Sequence, residues 1–264
     1  MILNFVIITV VVGIVTSGLK IRFDRFFTIL MLMFVAGKTI TDAVNIFLWV
    51  IMLGALMVIL DNKDKIAQLP KPMKMKLFGI IPLFTLLASF IGSWLFINST
   101  SNTLIIILGI LAILFGLRLA LIHFKSHEMN YDDERPTITK LCGLFGPWIS
   151  GFFVGLIGTS LKPLKIPFAV KVGKMNIKKV YLGNTITTFF AAIFSLFWHF
   201  VLSNEPNSSM FYEQMISGMA IWTGIHYMYE MSNILFKTKW QKVFQIIIGI
   251  ALVLVSIKIF SLIY

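Results

Sequence analysis

The sequence predicts an all-α membrane protein of two inverted-topology repeats. Each repeat reads as a broken or re-entrant helical hairpin followed by three transmembrane helices. Composition is the first observation behind this. Of 264 residues, 58% are hydrophobic and 13% charged, with a mean hydropathy of +0.91; soluble domains carry about 25% charge. The second is an internal match. Residues 109–118 (GILAILFGLR) resemble 249–258 (GIALVLVSIK) at an offset of 140 with no gap. Asn45 pairs with Asn184 at 139, and Leu19-Lys20 with Leu161-Lys162 at 142. The third is charge. Loop 61–76 carries five lysines while its counterpart 203–212 has no Lys or Arg; loop 98–102 has none while 237–242 carries three lysines. A bias that changes sides between copies is what an odd number of crossings per repeat produces, and inverted repeats are a signature of secondary transporters.

The segments follow in order. In the first repeat, 1–124, they fall at 3–19, 26–37, 43–60, 77–97 and 103–124. In the second, 141–264, they fall at 141–159, 164–174, 181–202, 213–236 and 243–263. The runs 43–60, 77–97, 103–122 and 243–263 are long enough for a roughly 30 Å hydrocarbon core. Residues 1–19 lack a basic leader and a small-residue cleavage site, and read as mature structure. The second segment of each repeat is too short: twelve helical residues reach about 18 Å. Segments one and two therefore read as a hairpin, against the alternative that both cross with the short one tilted. The stretch 125–140 (KSHEMNYDDERPTITK) is a hydrophilic cytoplasmic linker.

Net charge is +12, which in a soluble chain would suggest nucleic acid. Here the cations sit at helix ends and set topology. Leaving the hairpin tips aside, sixteen fall on one side and two, Lys38 and Lys258, on the other. The expected arrangement is a multi-pass plasma-membrane protein with both termini outside. One cysteine, Cys142, excludes an intramolecular disulfide. Four scattered histidines give no metal-ligand spacing, and no nucleotide loop or nucleophile elbow is present. No cofactor, nucleic-acid partner or enzymatic activity is expected.

The hairpin tips concentrate charge. The first, SGLKIRFDR, carries Lys20, Arg22 and Arg25 with Asp24; the second, GTSLKPLKIP, carries Lys162 and Lys165. Charges within a membrane are costly and mark a substrate path. Helix N-termini following the breaks would favour an anion too. Ser17, Thr159 and Ser160 add hydroxyl donors, and Pro163 and Pro167 break the helix.

At these residues the chain resembles the TauE/SafE sulfite exporter family. The run GLIGTSLKPLKIP from Gly155 to Pro167 is similar to that family's glycine-rich hairpin motif. Residues 181–185 (YLGNT) fall where the family has a small-residue helix start. The first repeat keeps a fainter version in Gly13 to Lys20 and in Asp42 to Asn45. The resemblance covers nearly the whole chain. It implies a duplicated permease exporting sulfite, thiosulfate-like or organosulfonate anions. Here the family's glycines give way to Ser160, Leu161 and Lys162, which points to an anion larger or more highly charged than sulfite.

Other polar residues take second place. Asn45 and Asn184 open the third segment of each repeat and can present an amide to a ligand, or else cap a helix or join two. His226 and Glu230, four apart, share a helix face and are proton-coupling candidates, or else a structural pair. His199 reads as an interfacial residue. The expected function is secondary transport by alternating access. A small anion would sit between the tips near the midplane, held by Lys20, Arg22, Lys162 and Lys165 and oriented by Asn45 and Asn184. A proton, a cation or the membrane potential would drive it. The rivals are an anion channel and a membrane-embedded enzyme using His226 and Glu230.

Overall fold

The computed structural model describes residues 2–18, 26–121, 136–203, 208–233 and 238–261. They are helical, with no strand among them. The helices are α1 (Ile2–Gly18), α2 (Phe27–Phe34), α3 (Ile40–Asp61), α4 (Lys63–Ala67), α5 (Lys71–Met75), α6 (Ile81–Asn98) and α7 (Ser101–Leu121). There follow α8 (Pro136–Ile157), α9 (Lys162–Lys171), α10 (Ile177–Leu202), α11 (Ser208–Asn233) and α12 (Thr238–Phe260). Among the described residues, six helical spans are long and apolar enough to cross a membrane: Ile40–Asp61, Lys71–Asn98, Ser101–Leu121, Thr139–Ile157, Ile177–Leu202 and Val243–Phe260. The 26-residue α11 has the length but not the apolar composition.

The two short elements are real helices and remain short. The eight residues of α2 and ten of α9 reach about 12 and 15 Å, well short of a crossing. Their partners differ from them: α8, at 22 residues, reaches about 33 Å, enough to cross by length.

The chain divides into two compact units. One comprises Met1–Val50, Ser99–Phe124 and Tyr212–Tyr264; the other comprises Ile51–Asn98 and Lys125–Phe211. Each takes helices from both halves of the sequence. This division by spatial contact is distinct from the proposed sequence repeats 1–124 and 141–264.

Within the first unit, small residues bring helices close. A Cβ added to Gly116 of α7 would lie 2.6 Å from the Gly249 carbonyl oxygen of α12, and the converse distance is also 2.6 Å. Only glycine permits such backbone approach, and hydrocarbon-embedded helices gain from it through dispersion contact. Gly224 of α11 makes room for the side chain of Thr9 of α1. The start of α3 is fixed by Thr39, whose Oγ1 accepts the Asp42 N–H at 3.1 Å and donates to Asp42 Oδ2 at 2.9 Å. The other carboxylate oxygen accepts from Gln214 of α11 at 3.1 Å, and Lys38 pairs with Glu213 at 3.5 Å. A helix-start cap and the second turn of α11 thus share one carboxylate.

The second unit is organised around α6, α8 and α10. A π turn, Lys76–Ile80, leads into α6. Pro82 explains it: the residue has no N–H, and its ring would clash with the Phe78 carbonyl in a regular helix. Gly151 and Gly155 of α8 face the backbone of Thr85 and Ser89 of α6. The apolar stripe of α10 meets both, with Phe90 edge-on to Trp198 at 5.0 Å. Helix α10 begins at an Asn176 cap, whose side-chain oxygen accepts from the Lys178 N–H at 3.0 Å and the Lys179 N–H at 3.4 Å. Asn176→Ala is expected to cost about 1 kcal/mol, read as a lowered melting temperature in detergent, while Asn176→Asp keeps most of the stability.

Candidate functional site

The site is built where α8 stops. Gly158, at φ +76°, turns the chain out of the helix. Leu161 then adopts a left-handed conformation, φ 53° and ψ 27°, as the N-cap of α9. For a leucine this costs about 1–2 kcal/mol, and strain of this kind gathers at functional sites. Helix α9 follows with Lys162 as its first residue and Pro163 as its second, where a missing N–H costs nothing.

Every residue of this break is buried. Thr159 is 1% exposed, Ser160 3%, Leu161 7% and Lys162 3%, and Gly158 is buried too. An interfacial lysine would extend to water. Lys162 instead holds its ammonium inside the protein at the positive end of a helix, a placement that favours a bound anion. The Thr159 hydroxyl is buried with no hydrogen-bond partner among the described residues, so it has a donor to offer. One turn along α9, half-buried Lys165 donates from Nζ to Ser150 Oγ of α8. The break therefore presents hydroxyls, a helix N-terminus and a buried cation together. That donor set suits an oxyanion.

The family model for the sulfite exporter TauE/SafE matches residues 5–259. The chain belongs to the TauE/SafE sulfite exporter family. No curated protein and no solved structure matches it. TauE/SafE is a family of membrane transporters, and with six apolar spans this member is a multi-pass membrane protein.

The remaining predicted site residues of this TauE/SafE protein separate by location. Lys162, Lys165, Thr159 and Ser160 come together at the α8–α9 break. Asn184 lies in the same unit, about two turns inside α10, and its Nδ2 donates to the Val180 carbonyl at 3.1 Å. It neither opens nor caps the helix; Asn176 does. Asn45 likewise lies beyond the first turn of α3, half-buried. Ser17, in the last turn of α1, is fully buried and its hydroxyl has no partner among the described residues. Lys20 and Arg22 lie outside the described residues.

His226 and Glu230 share α11, but their surroundings differ from those expected of a buried relay. The His226 ring stacks on Trp222 at 5.5 Å, and Glu230 is exposed on the protein surface.

His199 corrects the sequence reading. It is buried, 7% exposed, rather than interfacial. Its Nε2 lies 2.7 Å from the Gly155 carbonyl oxygen, and its ring stacks on Phe96 at 4.3 Å and 5°. Beside the same glycine lies Ser93, whose buried hydroxyl has no partner among the described residues. The sequence marks neither residue as part of the site. The available signal was spacing: Ala191, Ser195 and His199 recur every four residues, as do Thr85, Ser89 and Ser93, marking interior helix faces.

Proposed function

We propose that this TauE/SafE protein is a secondary transporter that exports a small sulfur-containing or organic anion, such as sulfite or a sulfonate, by alternating access. The burial of Lys162 at the start of α9 carries the reading. Its ammonium and the neighbouring Thr159 and Ser160 hydroxyls would hold anionic oxygens by charge-assisted hydrogen bonds. Lys165 would contribute long-range attraction while bonded to Ser150. By the sequence repeat, Lys20 and Arg22 are the counterpart cations, and Asn45 and Asn184 fix orientation. With the Lys-rich loops inside, both termini would lie outside the plasma membrane. The potential acting on the anion, or a coupled proton or cation, drives transport.

Counterflow in proteoliposomes tests this. Vesicles loaded with unlabelled sulfite are expected to accumulate labelled sulfite transiently and with saturation, and excess thiosulfate or an alkylsulfonate to compete. Flux that rises linearly with anion concentration and shows no counterflow would indicate a channel. Absence of flux for all three anions would overturn the substrate class.

A further inference from the structure

Four carbonyls at the C-terminal end of any α-helix lack an intrahelical partner. In α8 the Val154 carbonyl is satisfied by the Gly158 N–H at 2.9 Å. The Gly155 carbonyl is met by the imidazole of His199, brought in from α10. A carbonyl only accepts, so His199 Nε2 is the donor and carries the proton in this contact. The ring plane is held by the parallel stack on Phe96 of α6, and Gly155 itself lies against Ser93 of that helix. Three helices thus converge on the last turn before the break. Four residues after Gly155 the chain reaches Thr159, and seven after it Lys162.

We propose that His199 is a positioning residue for the anion site: by capping the end of α8 through the Gly155 carbonyl, it sets where the chain breaks and so where Thr159, Ser160 and Lys162 stand. This rests on the proposed anion site at the break, yet it predicts a structural effect that needs no substrate. Without the imidazole donor, the Gly155 carbonyl is free to draw the following N–H groups into a further helical turn, or to admit water. Either shifts the break by a residue or more. Since each residue turns a helix by about 100°, the hydroxyls and the ammonium would no longer converge.

The test compares three variants. His199→Gln keeps an N–H donor near the Nε2 position; His199→Asn is too short to reach Gly155; His199→Phe keeps the stack on Phe96 but donates nothing. The substrate-free readout uses Ser160→Cys in a Cys142→Ser background, with maleimide labelling of the purified protein in nanodiscs. Position 160 is buried, so labelling is expected to be slow with His199 or Gln and at least tenfold faster with Asn or Phe. Equal labelling in all four proteins overturns the proposal, whatever the substrate proves to be. The second readout is sulfite counterflow without the added cysteine. The half-saturation concentration is expected to rise about tenfold or more in His199→Asn and His199→Phe, and to return to within threefold in His199→Gln. Variants that lose maximal rate and melting temperature together, with half-saturation unchanged and no rescue by Gln, would mark His199 as packing alone and overturn it. If wild-type protein transports no sulfur oxyanion while the labelling pattern holds, the substrate reading fails and the positioning role stands.

Discussion

Lys162→Met is expected to abolish tight anion binding while keeping the protein folded. Methionine has similar length and fills the same space as Lys162, which is 3% exposed, so packing at the break is kept. The ligand loses its cation. A hydrogen bond to a charged group contributes about 1.5–3 kcal/mol, and each 1.4 kcal/mol is tenfold in affinity. The dissociation constant for sulfite should rise by about 10- to 150-fold in an isothermal titration. Lys165→Met should do less, about threefold, because that ammonium is half-buried and already bonded to Ser150. The decisive comparison is between affinity and melting temperature in Lys162→Met. A fall in melting temperature with unchanged affinity would make Lys162 a structural residue and remove the central support for the anion site.

The helices were legible in the sequence because hydrocarbon demands long apolar runs, and their ends were less so because helix starts are polar. Hydropathy places the start of α9 at 164, after the first proline. Proline at the first helical positions is compatible with a helix, so α9 starts at Lys162 and even retains Pro167 inside it. Helix α10 was expected from 181 but begins at Ile177, since Lys178 and Lys179 interrupt hydropathy without interrupting helix propensity under the Asn176 cap. At the site, Lys162 and its neighbouring hydroxyls were legible because a cation inside an apolar segment is conspicuous in any order of residues. His199 was not. Its partner is a backbone carbonyl 44 residues away, and a carbonyl has no letter in the sequence. Sequence repeat also promoted Asn45 and Asn184 together, whereas Asn184 commits one of its two amide N–H groups to its own helix. Pairing by offset identifies equivalent positions; it does not say which way the side chains face.

Gly92→Ala is expected to be the most destabilising single-methyl change in the second unit, and Gly146→Ala on the neighbouring helix to be neutral or stabilising. At Gly92 of α6 a Cβ would stand 2.1 Å from the Phe152 carbonyl oxygen and 3.0 Å from the Leu156 N of α8. Both are backbone atoms of a regular helix and cannot rotate aside. The methyl therefore has to push α6 and α8 apart. Overpacking a tight contact typically costs about 1–3 kcal/mol, and the upper end applies because no flexible side chain absorbs the clash. The separation also has a functional consequence, since Gly151 and Gly155 of α8 sit 2.7 and 2.6 Å, by the same measure, from the Thr85 and Ser89 carbonyl oxygens. Moving α8 withdraws Gly155 from His199 and carries the break with it, so transport should fall further than stability alone explains. Gly146 supplies the contrast. A Cβ there meets nothing within 4 Å, and replacing an interior helix glycine by alanine gains up to about 1 kcal/mol from backbone propensity. Melting temperatures of the two variants in one detergent separate the terms. If both alanines shift the transition equally, α6 and α8 are not in contact at glycine distance, and the close crossing that supports the α8–α9 break is absent.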